Sequence, residues 1–168
     1  MKGMLYRSLL LPLLLGAAWG VAGCGAAKEA EGDRGGEQMY RDLPAIRQDV
    51  IREARRWLGT PYRYNGMDAD GMDCSGLVST AFRRVGLVLP RMARDMFGTG
   101  RAVSAARSKP GDLVFFKNTA GKGITHVGIL LGGNSFIHSS TTRGVIISRL
   151  DEDYYKKHYA GMRDVIGR

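Results

Sequence analysis

The amino-acid sequence predicts an α+β domain in which helices come first and an antiparallel sheet follows. Two observations predict this order. Residues 43–59 and 73–86 carry apolar side chains at helical spacing, whereas residues 111–150 contain short apolar segments separated by turns rich in glycine and polar residues. The chain has 168 residues, and residues 42–168 are expected to form one domain without internal repeats.

Two helices are expected in the first half of this domain. The first helix, over residues 43–59, ends at Gly59, and its apolar face holds Ile46, Val50, Ala54, Trp57 and Leu58. A loop rich in glycine and aspartate follows over residues 60–72. In the second helix Asp73 is a good N-cap and Gly86 a stop. The face expected to pack against the sheet holds Cys74, Leu77, Ala81 and Val85.

The second half is expected to be mostly strands and turns. A short helical turn is predicted over residues 89–100, and strands over residues 111–116, 125–131, 134–140 and 144–150. A short helix over residues 151–161 and a last strand over residues 162–166 complete the domain.

The first 23 residues have the features of an export signal. Lys2 and Arg7 precede an apolar run from Leu9 to about Val21, which is short for a membrane span. The segment ends in the letters VAGC and resembles a bacterial lipoprotein signal, with Val21 where leucine is usual. We expect Cys24 to be lipidated; the alternative is an ordinary secretory signal that is cut nearby and leaves Cys24 free. Residues 24–41 are small and polar, as in a flexible tether.

The chain carries a formal net charge of +9, and most of this charge lies in the domain after residue 41. A basic domain can bind nucleic acid, but an export signal argues against that partner. An anionic polymer or lipid surface is the more plausible partner, and ordinary solvated surface charge is the alternative.

Cys74 is the candidate nucleophile. If Cys24 is acylated, Cys74 has no disulfide partner and remains a free thiol outside the cytoplasm, where free thiols are rare. As the first residue of a helix it lies where backbone N–H groups and the helix dipole favour an anion, so its pKa is expected to be lowered. A lone buried cysteine is more often inert packing, so the interpretation depends on the histidines.

Two of the three histidines lie on neighbouring predicted strands. His126 shares its strand face with Gly128, which leaves room beside the imidazole, and His138 follows on the next strand. A two-residue turn at residues 132–133 would put the two histidines on opposite faces, whereas a three-residue loop at 131–133 would set them directly opposite each other on one face. The sequence favours the two-residue turn, whereas the chemistry of a histidine pair favours the three-residue loop. His158 lies among charged and aromatic residues and is expected on a helix surface.

Several motifs resemble those of the NlpC-type cell-wall endopeptidases. They are the Asp-Cys-Ser-Gly helix start at residues 73–76, the Leu-Pro-Arg segment at 89–91, the His-Val-Gly strand at 126–128 and a second histidine twelve residues later. The resemblance covers nearly all of residues 45–167 and implies a papain-like α+β fold, with N-terminal helices packed on an antiparallel sheet.

The resemblance also implies catalytic roles. Cys74 is the nucleophile, His126 is the general base and later the acid, and His138 orients His126. Tyr62 matches a tyrosine whose hydroxyl lies near the oxyanion, and the backbone N–H of Cys74 is a further donor.

Neighbouring residues of the same motifs are expected to position substrate, namely Asp73, Ser75 and Arg91. One departure from the family pattern is Met92, where serine or threonine is more common. The histidines and cysteines lack the spacing of a zinc site, and no metal or other cofactor is expected.

These inferences predict a lipid-anchored cysteine endopeptidase that hydrolyses peptidoglycan stem peptides or cross-links through a thioester, at bonds that involve D-amino acids and diaminopimelate. Its expected partners are peptidoglycan and, through Cys24, a membrane. It is expected to be a monomer that faces the periplasm, on the outer rather than the inner membrane, because Gly25 and Ala26 lack the retention aspartate of Gram-negative lipoproteins. The alternatives are a non-catalytic murein-binding lipoprotein and an amidase or acyltransferase on the same fold.

Overall fold

The computed structural model describes residues 40–167, so the predicted signal peptide and nearly all of the predicted tether lie outside the described residues. The helices with bounds in this range are α1 (Ala45–Arg55), α2 (Cys74–Arg84), α3 (Ala93–Phe97) and α4 (Asp153–His158), with a 3-10 turn at Ala105–Arg107. The strands are β1 (Met67–Asp68), β2 (Gly71–Met72), β3 (Arg101–Val103), β4 (Leu113–Lys117), β5 (Ile124–Gly132), β6 (Ser135–Ser140), β7 (Gly144–Arg149) and β8 (Tyr159–Asp164).

Six of these strands form one antiparallel sheet in the order β3-β8-β4-β5-β6-β7. Strands β1 and β2 form a separate small ladder just before α2. The larger helices precede the sheet along the chain, which confirms the predicted α+β class. Strand β3 was not predicted, and β8 begins before residue 162, where the last strand was expected.

Both faces of the sheet are covered. Side chains alternate along the central strands, so each of these strands contributes buried residues to both faces. One face packs against α1 and α2 through completely buried residues, namely Leu113, Phe115, Val127, Ile129 and Ile137. The opposite face forms a second buried cluster of Val114, Phe116, Leu130, Phe136 and Met162 with Tyr155 from α4. Strands buried on both faces have nearly continuous apolar sequences, as β4 and β5 do.

Helix α1 is shorter than predicted, and Leu58 lies beyond its end with 44% of its surface exposed. The buried side of α1 includes Arg47, whose guanidinium forms ion pairs with Asp112 at 2.8 Å and Asp164 at 2.7 Å. These pairs join α1 to the residue before β4 and to the last residue of β8. Since all three side chains are buried, the guanidinium compensates two carboxylates that have lost most of their hydration.

Tyr40 belongs to the folded domain, although it lies in the segment predicted as a tether. Its side chain is buried, and its hydroxyl donates to the carbonyl oxygen of Leu131 at 2.9 Å. Tyr40 thus packs with the domain two residues before its predicted start, and the predicted domain bounds stay a prediction. The described part of the chain contains no helix that is long and apolar enough to cross a membrane.

Candidate active site

Cys74 is the first residue of α2, as predicted, and the cap before the helix fixes its position. The Asp73 carboxylate accepts a hydrogen bond from the backbone N–H of Gly76 at 2.6 Å, which satisfies one of the N–H groups that a helix start leaves free. A glycine is required at position 76, because a Cβ there would lie 2.1 Å from the carbonyl oxygen of Gly66. The Asp-Cys-Ser-Gly motif thus has a structural reason for its first and last residues.

The Cys74 thiol lies against strand β5, where β5 and β6 separate. The ladder between these strands ends at the Ile129–Ile137 pair. Beyond it, the backbone N–H of Val127 approaches the Cys74 thiol. The hydroxyl of Ser139 on β6 donates to a carbonyl just before α2 at 2.7 Å. The start of α2 therefore borders the opening between the two strands, and the thiol comes close to the residue that follows His126.

His126 and His138 share one face of the sheet, on the side opposite the α2 core. Nε2 of His126 and Nδ1 of His138 are 3.0 Å apart, and the two ring planes cross at 86°. Extending the β5–β6 register by one residue places Gly128 opposite His138, and a Cβ on Gly128 would lie 3.3 Å from that of His138. Such a Cβ would lie closer still to the Phe136 ring at 2.7 Å and to the carbonyl oxygen of Ile137 at 2.9 Å, so Gly128 makes room for β6 as a whole. His126 therefore reaches His138 diagonally, and not directly across the ladder as the three-residue loop would require.

The β5–β6 hairpin differs from both loops considered from the sequence. Its turn residues are Gly133 and Asn134, which both have the positive φ of a type I′ turn. The register shifts between Leu130 and Gly132, which adds one residue to β5. Because side chains alternate with a period of two, this bulge reverses the parity and returns the two histidines to one face.

His138 is held by further side chains that the sequence did not single out. Its Nε2 lies 3.1 Å from Oγ of Ser148 on β7 and 3.0 Å from the hydroxyl of Tyr155 on α4. Its ring stacks on Phe136, with 4.8 Å between centroids. The sequence does contain a signal for Ser148, since it is a polar residue inside an apolar strand segment. Nothing local identified Tyr155, because its partner depends on the sheet order.

Tyr62 lies on another side of the cavity that contains the thiol. An isolated backbone bridge joins Tyr62 to Met72, just before α2. Burial, followed by the charges of Cys74 and Asp73, raises the pKa of the Tyr62 phenol, so the hydroxyl stays protonated. Tyr62, Cys74, His126 and His138 line this open cavity together with Thr119, Ala120, Thr125, Ser140, Thr141, Tyr154 and Tyr155.

Asp73, Ser75 and Arg91 form a cluster at the start of α2 that does not line the cavity. Arg91 donates to the two carboxylate oxygens of Asp73 at 3.0 and 2.7 Å and to the Ser75 hydroxyl at 2.7 Å. The charge of Asp73 is thereby compensated within the protein. This geometry braces the helix start, and the role of the three residues in positioning substrate stays a prediction.

Burial sets the protonation states of the candidate catalytic groups. It raises the pKa of Cys74 to about 11, although backbone N–H groups, including that of Val127, favour the thiolate. The predicted lowering of this pKa is therefore wrong, because desolvation outweighs the helix terminus. Burial lowers the pKa of His126 to about 4 and that of His138 to about 3. At neutral pH the site holds a neutral thiol and a neutral imidazole, which is free to accept a proton.

His158 is separate from this site. It is the last residue of α4, and its Nδ1–H donates to the carbonyl oxygen of Lys117 at 2.8 Å. Within residues 40–167, no three histidine, cysteine, aspartate or glutamate side chains are grouped so that they could hold a metal ion.

Known proteins match this chain across the whole cavity. The NlpC/P60 family model matches residues 59–164. The chain is 41% identical over 133 residues to the murein DD-endopeptidase MepS/murein LD-carboxypeptidase of Escherichia coli (strain K12). This match covers 79% of this chain and 69% of that protein. It is 39% identical over 131 residues to the gamma-DL-glutamyl hydrolase of Bacillus subtilis (strain 168). This second match covers 77% of this chain but 32% of that protein.

A solved structure agrees with these sequence matches. The crystal structure of an NlpC/P60 family protein from Bacillus cereus has a TM-score of 0.67 with this chain at 34% identity. The match covers 71% of this chain and 40% of that one, so this chain spans well under half of both Bacillus proteins. The matched fold confirms the predicted fold class.

Proposed function

The chain belongs to the NlpC/P60 family, and we propose that it hydrolyses peptide bonds in peptidoglycan stem peptides or cross-links through a thioester on Cys74. The family match and the relative named as a murein endopeptidase confirm the predicted class of cysteine endopeptidase. The observation that carries the proposal is one cavity lined by Cys74, Tyr62 and a hydrogen-bonded pair of histidines. The name of the Escherichia coli relative supports murein as the substrate.

Acylation starts from the neutral thiol and the neutral imidazole. As Sγ of Cys74 attacks the substrate carbonyl carbon, the thiol proton moves to Nδ1 of His126, the ring nitrogen that His138 does not engage. Negative charge moves to the substrate oxygen, where the Tyr62 hydroxyl and the backbone N–H of Cys74 donate hydrogen bonds. Tyr62 suits this role because its raised pKa keeps the donor proton in place.

The proton on His126 then allows the leaving group to depart. Nδ1–H protonates the leaving amine, the C–N bond breaks, and the acyl group stays on Sγ of Cys74 as a thioester. Water next attacks the thioester carbon and loses a proton to Nδ1, and that proton returns to sulfur as the C–S bond breaks. In both halves a cation forms on the partly buried imidazole of His126, and the hydrogen bond from its Nε2–H to His138 stabilises that cation.

We also propose that residues 1–23 are removed on export and that a lipid on Cys24 holds the domain at the periplasmic face of the outer membrane, as a monomer. The sequence VAGC and the residues Gly25 and Ala26 support this location. Metabolic labelling with a palmitate analogue should label the wild-type chain and spare the Cys24→Ser variant. Equal labelling of both chains, or label in neither, would contradict the anchor.

Digestion of purified muropeptides, followed by mass spectrometry, tests the proposed reaction. Wild-type protein should produce fragments that differ by one peptide bond hydrolysed within the stem or cross-link, and Cys74→Ser should produce none. Release of the intact stem peptide from the sugar would identify an amidase. New amide linkages would identify an acyltransferase, and binding to sacculi without any product would identify a murein-binding protein.

A further inference from the structure

Two buried hydroxyl groups, those of Ser148 and Tyr155, lie within hydrogen-bonding distance of Nε2 of His138, and neither takes part in the proposed thioester mechanism. We propose that Ser148 and Tyr155 are positioning residues that hold the His126–His138 pair in the one tautomeric state in which His126 can act as a base. The inference rests on the proposed function, and it names residues that set the protonation pattern of that same site.

The required proton positions follow from the hydrogen-bond geometry. For Nδ1 of neutral His126 to accept the thiol proton, its ring proton must be on Nε2. That N–H donates to Nδ1 of His138 across 3.0 Å, so His138 must carry its own proton on Nε2. His138 is only 1% exposed, and a buried N–H without an acceptor is costly. The base therefore needs an acceptor beyond His138.

Ser148 and Tyr155 supply that acceptor. Oγ of Ser148 lies 3.1 Å and the oxygen of Tyr155 lies 3.0 Å from Nε2 of His138. The Tyr155 hydroxyl also donates toward Ser148 at 3.5 Å, which leaves its lone pairs facing His138. If either hydroxyl donated to Nε2 instead, His138 would carry its proton on Nδ1. His126 would then be protonated on the nitrogen needed for the thiol.

The surroundings keep both hydroxyls in place. Tyr155 is 7% exposed, and its ring packs between Phe116 and Phe136 at centroid distances of 5.1 and 4.9 Å. Ser148 is 4% exposed and pairs with Phe136 in the β6–β7 register. Bulk water therefore has little access to replace a lost acceptor. Through Tyr155, the position of α4 is coupled to the tautomer of the catalytic histidine.

Steady-state kinetics of the full-length protein on muropeptides tests the positioning role. Ser148→Ala and Tyr155→Phe should each lose less than about threefold in kcat, because one acceptor remains, whereas the double variant should lose about thirtyfold or more, since a wrong tautomer can cost up to ~10⁴-fold. KM should change less than about twofold, because substrate contacts remain. Ser148→Thr combined with Tyr155→Phe should recover most of the loss. The control is Tyr159→Phe with Ser135→Ala, which removes the same two hydroxyl types outside the cavity lining.

A second readout does not depend on turnover. Imidazole ¹⁵N chemical shifts of His138 in the wild-type chain should show the proton on Nε2, and in the double variant on Nδ1. A wild-type chain with the proton on Nδ1, or a folded double variant with unchanged kcat and unchanged shifts, would overturn the proposal. If the expected tautomer is present but the wild-type chain hydrolyses no muropeptide, the proposed function fails and the positioning role stands.

Discussion

The buried His138 and the partly buried His126 should make the stability of the domain depend on pH. Lowering the pH from 7.5 to 5 is the perturbation. In the unfolded chain both imidazoles take up a proton near their ordinary pKa of 6.5, whereas in the folded domain burial lowers their pKa values to about 4 and about 3. Protons therefore bind preferentially to the unfolded chain, and stability is lost as the pH falls below 6.5.

The size of the effect follows from these pKa values. Between pH 6.5 and 5, a histidine that is neutral in the folded domain but protonated in the unfolded chain lowers the free energy of unfolding by about 1.36 kcal/mol per pH unit. For His138 the loss is about 2 kcal/mol. His126 borders the open cavity, so its contribution is discounted for solvent and amounts to at most about 2 kcal/mol. The domain should therefore lose about 2 to 4 kcal/mol, a large part of the 5–15 kcal/mol typical of a domain.

Urea unfolding at pH 7.5 and pH 5 measures this loss. His138→Asn should remove about 2 kcal/mol of the pH dependence, and His126→Asn combined with His138→Asn should remove nearly all of it. His158→Asn, which removes a histidine at the end of α4 outside the cavity lining, is the matched control. Equal stability at both pH values, or higher stability at pH 5, would refute the reasoning.

Three other measurements concern the thiol, the histidine roles and the buried ion pairs. The rate of alkylation of Cys74 by iodoacetamide should rise about tenfold per pH unit between pH 7 and 9, because the Cys74 pKa of about 11 lies above this range. A rate that does not change with pH would contradict a neutral thiol. His138→Ala should keep more activity than His126→Ala, because it loses orientation but not the base, and His138→Gln should recover part of the loss; a silent His138→Ala would exclude an orienting role. Arg47→Met should lower the free energy of unfolding in urea by about 3–5 kcal/mol, because the buried Asp112 carboxylate loses its ion pair with Arg47 and Asp164 keeps only the longer pair with Arg101 at 3.3 Å. Arg52→Met, whose ion pair is exposed, is the control, and equal losses in the two variants would contradict this account.

Features set by neighbouring residues were predictable from the sequence. The cap by Asp73 and the position of Cys74 at the helix start both depend on residues within the first turn of α2. The antiparallel strands were predictable from their apolar segments and the turns between them. The resemblance to the NlpC-type endopeptidases named Tyr62 through its spacing from Cys74, and both residues line the same cavity.

Features set by the packing of distant segments were not predictable. The bulge near Leu131 reverses the side-chain parity of β5. Gly132 has the positive φ that this bulge uses, but Gly133 beside it also has a positive φ in the turn, so two adjacent glycines do not show where the bulge lies. Tyr155 meets His138 only because α4 covers the sheet face opposite α2. The raised pKa of Cys74 depends on how deeply the helix start is buried, which a helix-terminus argument does not include. The sequence alone indicates a solvent-exposed charge at Arg47, because its two carboxylate partners, Asp112 and Asp164, are distant in the sequence and come together only in the fold.

Trapping the acyl group during turnover tests most directly whether Cys74 forms a thioester with peptidoglycan peptides. Muropeptides are digested with and without hydroxylamine, and the products are identified by mass spectrometry. If a thioester forms on Cys74, the wild-type protein should produce hydroxamates at the new carboxyl end in place of part of the free acid. The Cys74→Ser variant should produce no hydroxamate. Cleavage of the same bond by the Cys74→Ser variant at a rate near that of the wild-type protein would contradict the account.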